Sequence, residues 1–193
     1  MFKVFIPLIL LVTSVSSLNC NLLYSYLKNV NWDAMILLSK MNTEFPLQCL
    51  SVRMDFEFSQ ELLPPDQSLK DIMIVSYEMS QHIFNIFSQN YPPLAWEMEN
   101  IQKIQIGLHQ QTEYLQKCLE EDEKEELEKE VEDEISYSGL AIFRLNNLEL
   151  KRYFKRIVNF LKEKKYSHCA WEVVRLEMRR CFYKLQKLIS QLK

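Results

Sequence analysis

SHCAWEVVRLEMRRCFYKLQKLISQL, residues 167–192, decides the architecture. Trp171, Val174, Met178, Cys181, Leu185, Leu188 and Leu192 recur at alternating steps of three and four. That is the period of one buried face of an α-helix. Ser167 stands where an N-cap is needed. Just upstream, NNLELKRYFKRIVNFLKEK (146–164) repeats the pattern through Leu150, Tyr153 or Phe154, Ile157 and Leu161. Only a few residues separate the two segments, so they are expected as antiparallel neighbours.

Farther back, EEDEKEELEKEVEDE (120–134) holds eleven acids and two lysines. Such a block reads as solvated and mobile, and a loop is expected over 119–142. Its Glu and Lys content permits transient helix. A third helix is expected over 95–119, with Ile101, Ile104, Leu108, Thr112 and Leu115 inward and Gly107 marking a close approach of another helix. A second is expected over 68–89. Pro64 and Pro65 precede it, Ser68 with Asp71 caps it, and Tyr91-Pro92-Pro93 ends it. Its inward residues are Ile72, Val75, Met79, Ile83, Ile86 and Phe87. The first runs over 20–41, with Leu23, Tyr26 or Leu27, Val30 and Leu37 inward. Between the first two lies a connection over 42–67, long enough to cross a bundle from end to end. Five helices with a long first crossover predict an all-α fold: a long-chain helical cytokine bundle, up-up-down-down.

Composition agrees. The 193 residues are 48% hydrophobic and 12% aromatic with only two glycines. That excludes overall disorder and leaves little turn chemistry for a many-stranded sandwich. Two glycines cannot build a P-loop or a dinucleotide fingerprint. HExxH and CxxC are absent, and His82, His109 and His168 stand alone. The acidic block lacks the glycine and ligand spacing of a calcium-binding loop. No enzyme, cofactor or metal site is expected, and nothing points to nucleic acid.

MFKVFIPLILLVTSVSS (1–17) reads as a secretory signal peptide: Lys3, a short apolar run, then small residues at Val15 and Ser17. The run is too short to span a membrane. A secreted, extracellular domain over 18–193 is therefore expected. In that compartment Cys20, Cys49, Cys118, Cys169 and Cys181 imply two disulfides and one leftover thiol. Cys169 and Cys181 cannot pair within one helix, where twelve residues span ~18 Å. Cys181 lies on the inward stripe, so a buried thiol is expected there.

EKKYSHCAWEVVRLEMRRC (163–181) resembles the signature of type I interferons around their last helix. LNCNLL (18–23), FPLQCL (45–50), HIFNIFSQ (82–89) and GLHQQTEYLQKCLEED (107–122) extend the likeness over nearly all of 18–193. Cys181 and the acidic insert depart from the family's alpha-type pattern. The resemblance implies disulfides Cys20–Cys118 and Cys49–Cys169. It implies a cytokine, expected as a monomer, that bridges both chains of the interferon alpha/beta receptor and triggers JAK-STAT signalling with antiviral and immunomodulatory effect.

The outward residues left on the last helix are Arg175, Leu176, Arg179, Arg180, Tyr183 and Lys184. Arg and Tyr are enriched at interface hot spots. By resemblance these positions, with Leu50 and Arg53 of the first connection, meet the high-affinity receptor chain. Tyr77, Glu78, Gln81, Phe84 and Asn85, joined by Lys151, Arg152 and Lys155, are expected to meet the low-affinity chain.

The formal charge of −3 conceals a polarised chain: −9 over 120–134 and +10 over 144–193. Two other readings follow. One is a different helical cytokine with its own receptor. The other is a binder of heparan-type polyanions through the basic last two helices.

Overall fold

The computed structural model describes residues 20–42, 44–58, 68–89, 96–129 and 137–191, and the side chains of 123–129 and 137–147 are outside that description. The leader at 1–17, the two proline pairs and Leu192 lie outside it too. Five α-helices carry the fold: α1 (Leu23–Met41), α2 (Leu69–Gln89), α3 (Met98–Lys129), α4 (Tyr137–Glu163) and α5 (His168–Ile189). Short 3-10 turns occupy Cys20–Leu22 and Leu47–Val52. No strand occurs among the described residues.

Paired residues fix the directions. Cys20 is bridged to Cys118, Tyr26 packs edge-on to Tyr114, and Gly107 faces Val30, so α1 and α3 are antiparallel. Ser80 with Gln111 and Ser88 with Gln105 make α2 antiparallel to α3. Asn42 with Glu172 and Leu38 with Arg175 make α5 antiparallel to α1. Thus α1 and α2 run up while α3 and α5 run down. The ascending α4 returns the chain between the last two.

Local chemistry explains the ends. The Asp71 backbone N–H donates to Ser68 Oγ at 3.1 Å and the Ser68 N–H donates to Asp71 Oδ2 at 3.2 Å, a reciprocal cap. Ser167 Oγ accepts from the Ala170 N–H. After α4, Lys165 and Tyr166 take positive φ, 51° and 53°, in a turn where glycine is usual.

The apolar faces of α2, α4 and α5 are buried as their spacing predicts, as far as the described residues extend. Two helices differ by one position. On α1 the core row is Leu23, Leu27, Asn31, Ala34 and Leu38, which leaves Val30 and Leu37 half-buried beside it. On α3, Gln111 is buried in place of Thr112. The cause is common to both. Gln111 donates to Ser80 Oγ at 2.7 Å and reaches Asn31 Oδ1 at 3.5 Å, so a polar layer joins three helices where an apolar count looks elsewhere. A Cβ at Gly107 would meet Val30 Cγ1 at 3.3 Å, the close approach its position suggests.

The acidic segment also differs from the expected loop over 119–142. Helix α3 continues to Lys129, and α4 begins at Tyr137, through Ser138 and Gly139. Glu and Lys are strong helix formers, and propagation from an existing helix avoids the nucleation cost.

The long first connection is tied down at three points. Cys49 is bonded to Cys169. Phe56 and Phe58 are buried edge-on against Phe160 and Tyr153 of α4. Arg156 donates to the carbonyls of Phe56 and Glu57 at 3.1 and 3.3 Å.

Candidate functional site

The Cys49–Cys169 bond holds the 3-10 turn Leu47–Val52 against the start of α5. Residues on both sides of that junction line a groove of about 490 Å³: Phe45, Arg53, Met54 and Asp55 from the connection, Val173, Leu176, Glu177 and Arg180 from α5. A wider groove of about 690 Å³ follows between α1 and α5, lined by Trp32, Met35, Ile36, Ser39, Lys40, Leu176, Arg179, Arg180 and Tyr183. Leu176 and Arg180 belong to both, so the two form one continuous surface.

Most residues expected on this face are on it. Leu50 is 50% exposed and Tyr183 63%, and Arg53, Arg179 and Arg180 are exposed. Leu176 is half-buried between the grooves. Arg180 lies 3.7 Å from both Asp55 and Glu177, an ion pair across the junction. Lys184 is half-buried with its ammonium 5.1 Å above the Phe58 ring. That is a cation–π contact spent inside the fold rather than outward.

Arg175 requires a correction. It is 1% exposed, not an outward residue. Its guanidinium meets Glu172 at 3.1 Å and donates to the Leu38 carbonyl at 3.0 Å. Helix α5 is flanked by α1 over this turn, so a position off the apolar stripe is covered all the same. Conversely, Trp32 and Ile36 of α1 belong to the surface and were not foreseen. Their signal was legible: two large apolar residues at i,i+4, off the inward row of α1.

The second expected face forms where α2 meets α4. His82 stacks on Phe154, with ring centroids 4.7 Å apart. Glu78 and Lys151 both act on that imidazole, Arg152 and Lys155 share α4 with Lys151, and Phe84 turns toward α3 with its ring 6.3 Å from that of His109. Gln81, Asn85 and the three cations are exposed. Tyr77, Glu78 and Phe84 are half-buried. Gln81 donates to the Tyr77 hydroxyl at 2.7 Å, and Arg152 pairs with Glu149. Burial holds the His82 imidazole below its ordinary range. Glu78 opposes that shift and Lys151 reinforces it.

Cys181 is fully buried and unbonded. Tyr153 Oη donates to Glu177 Oε1 at 2.5 Å and lies 3.2 Å from Cys181 Sγ, so the thiol proton points to the phenol oxygen. Burial pushes the thiol up to about 12. A nucleophile needs the thiolate, so this cysteine is chemically quiet. Among the described residues no helix is long and apolar enough to cross a membrane.

The bundle, its crossover and its two disulfides define a helical cytokine. The family model for the interferon alpha/beta domain matches residues 23–192. The chain is 49% identical to human interferon kappa over 90% of its own length and 85% of that protein's. It is 38% identical to mouse interferon kappa, covering 94% and 89%, and 34% identical to human interferon beta, covering 94% and 91%. Its fold superposes on zebrafish interferon 2 with a TM-score of 0.67 at 24% identity, covering 82% of this chain and 96% of that one. The chain belongs to the type I interferon family, a family of cytokines rather than enzymes, and is kappa-like within it.

Proposed function

We propose that the chain is a secreted ligand that bridges the two chains of the interferon alpha/beta receptor as a monomer. Bringing the receptor chains together activates the kinases they carry and, through JAK-STAT signalling, an antiviral and immunomodulatory response. The high-affinity face comprises Leu50, Arg53, Leu176, Arg179, Arg180 and Tyr183, with Trp32 and Ile36 along its α1 edge. The low-affinity face comprises Tyr77, Glu78, Gln81, Phe84 and Asn85, with Lys151, Arg152 and Lys155.

The observation that carries this reading is the continuous surface across the Cys49–Cys169 junction. It pairs exposed aromatic and aliphatic side chains with arginines, the mixture that concentrates binding energy. The disulfide preorganises it, since a tethered segment loses less freedom when a partner docks. The test is binding of the refolded chain to each separate receptor ectodomain. Arg179→Ala with Tyr183→Ala should weaken the high-affinity chain by ~10-fold or more, equivalent to ~1.4 kcal/mol, and leave the other chain unaffected. Unchanged binding to both chains would remove this face.

A further inference from the structure

The part of the first connection that borders α5 is fixed at both ends. Upstream, Cys49 is bonded to Cys169. Downstream, Phe56 and Phe58 are buried edge-on against Phe160 and Tyr153 of α4. Tyr153, Arg156 and Phe160 follow one another at steps of three and four, so they present one stripe to residues 56–58. In the middle of that stripe Arg156 Nε donates to the Phe56 carbonyl at 3.1 Å and Nη2 to the Glu57 carbonyl at 3.3 Å. Leu50, Arg53 and Asp55 therefore stand on a span held between a disulfide and a guanidinium.

The guanidinium end is also where the backbone is strained. Glu57 takes φ 53°, the left-handed region that disfavours any residue with a Cβ. Its N–H donates to Asp55 Oδ1 at 3.0 Å, which closes the turn from within. Such a conformation persists only where its surroundings over-determine it. A planar fork of donors can hold two successive carbonyls at once, which the point charge of a lysine cannot.

We propose that Arg156 is a positioning residue for the high-affinity face. By clamping the carbonyls of residues 56 and 57 it sets where Arg53 stands on the wall of the groove shared with Leu176 and Arg180 of α5. This inference rests on the receptor reading given above. Arg156 acts through the connection and not by contact: it is half-buried, with two of its donors turned onto the connection's backbone. Its own helix carries Lys151, Arg152 and Lys155 of the other proposed face, so its place in the sequence gives no hint of this role. A span left free at one end must be ordered when a partner docks, and that ordering subtracts from affinity.

The test measures binding of the folded, disulfide-bonded chain to each receptor ectodomain, below the unfolding transition. Arg156→Met keeps an unbranched stem and removes the donors. It should lose ~10-fold in affinity for the high-affinity chain and nothing for the other. Arg156→Lys keeps the charge and reaches one carbonyl at a time, so it should fall between the parent and Arg156→Met. Ile157→Val, beside Arg156 and fully buried, lowers stability with the clamp intact and should bind both chains as the parent does. The deciding comparison is a double-mutant cycle with Arg53→Ala. If Arg156 acts by placing Arg53, Arg156→Met should lose no more than ~3-fold once Arg53 is gone. The same ~10-fold loss with and without Arg53 overturns the proposal. So does parent-like binding of Arg156→Met, a loss shared by both receptor chains, or an equal loss in Ile157→Val. Parent-like binding of Arg53→Ala alone would remove that residue from the receptor reading, and this proposal with it.

Discussion

Glu172 and Arg175, one turn apart on α5, form an ion pair with both side chains closed off from solvent. Glu172 also accepts from Trp96 Nε1 at 2.8 Å and Asn42 Nδ2 at 3.2 Å. Arg175 donates to the Leu38 carbonyl near the end of α1. The pair thus ties together α5, the exit of α1 and the entry to α3. It lies beneath the grooved surface between α1 and α5, so a buried charge pair supports the proposed receptor face from within.

Arg175→Ala should therefore act on stability. Removing one partner strands the Glu172 carboxylate in the core, at a cost of ~3–5 kcal/mol. Arg179→Ala, one turn on and exposed, should cost under ~0.5 kcal/mol. Urea denaturation of the two variants separates them. Glu172→Ala with Arg175→Ala should cost less than the sum of the single changes, because neither then leaves a lone buried charge. Strict additivity would contradict the pairing.

Cys181 supplies a chemical clock for unfolding. With its thiol held near 12 and enclosed beside Tyr153, it should resist alkylation at pH 8 until the bundle opens. The folded-state value lies above the usual 9.0. The folded chain keeps its proton while the unfolded chain loses it, so this contribution is complete below pH 9 and declines as pH rises toward 12. Iodoacetamide labelling followed across a denaturant series should track global unfolding. Rapid labelling of the native chain would show that the site is open.

These two residues also show where sequence reading succeeds and stops. The three-four spacing of α5 places Cys181 inward without any partner being known, because the signal is local. Arg175 obeys no local rule. Glu172–Arg175 and Glu177–Arg180 have the same i,i+3 spacing, yet the first pair is buried and Arg180 is exposed. The difference comes from Leu38 and Trp96, 137 and 76 residues away along the chain from Arg175 and Glu172 respectively. Asn31 and Gln111 evade an apolar count for the same reason: each finds its hydrogen-bond partner only on another helix. The acidic run, helical as far as Lys129 among the described residues, is a third kind of failure. Its composition favours helix and solvation equally, and only the neighbouring helices decide. The proposed receptor faces rest mainly on family likeness, and that likeness does not point to the exposed α1 edge at Trp32.

His82 should make the α2–α4 contact sensitive to acid. Burial lowers its pKa, so the unfolded chain takes up a proton more readily than the folded one. The contribution is complete above the usual 6.5 and is lost as pH falls through the lowered folded value. Glu78 and Lys151 are the charged groups that modify it, with opposite signs. His82→Phe keeps a ring against Phe154 and removes the titration. Urea midpoints measured from pH 7.5 to 4.5 should decline less steeply for the variant; parallel profiles would refute the assignment.

The two disulfides should separate stability from recognition. Each closes a long loop, 98 residues for Cys20–Cys118 and 120 for Cys49–Cys169, so removing either should cost ~2–5 kcal/mol. Only Cys49–Cys169 lies at the proposed high-affinity face. Without it the turn bearing Leu50 and Arg53 gains freedom that docking must remove again. Cys49→Ala/Cys169→Ala should therefore lose ~10-fold in affinity for the high-affinity receptor chain, measured below the unfolding transition. Cys20→Ala/Cys118→Ala should be destabilised to a similar degree and bind that chain as the parent does. The anchors at Phe56, Phe58 and Arg156 remain in both variants, so the first connection stays on the bundle and the comparison isolates the turn. Equal affinity losses in the two variants would mean that binding follows overall stability and that the disulfide does not shape the face.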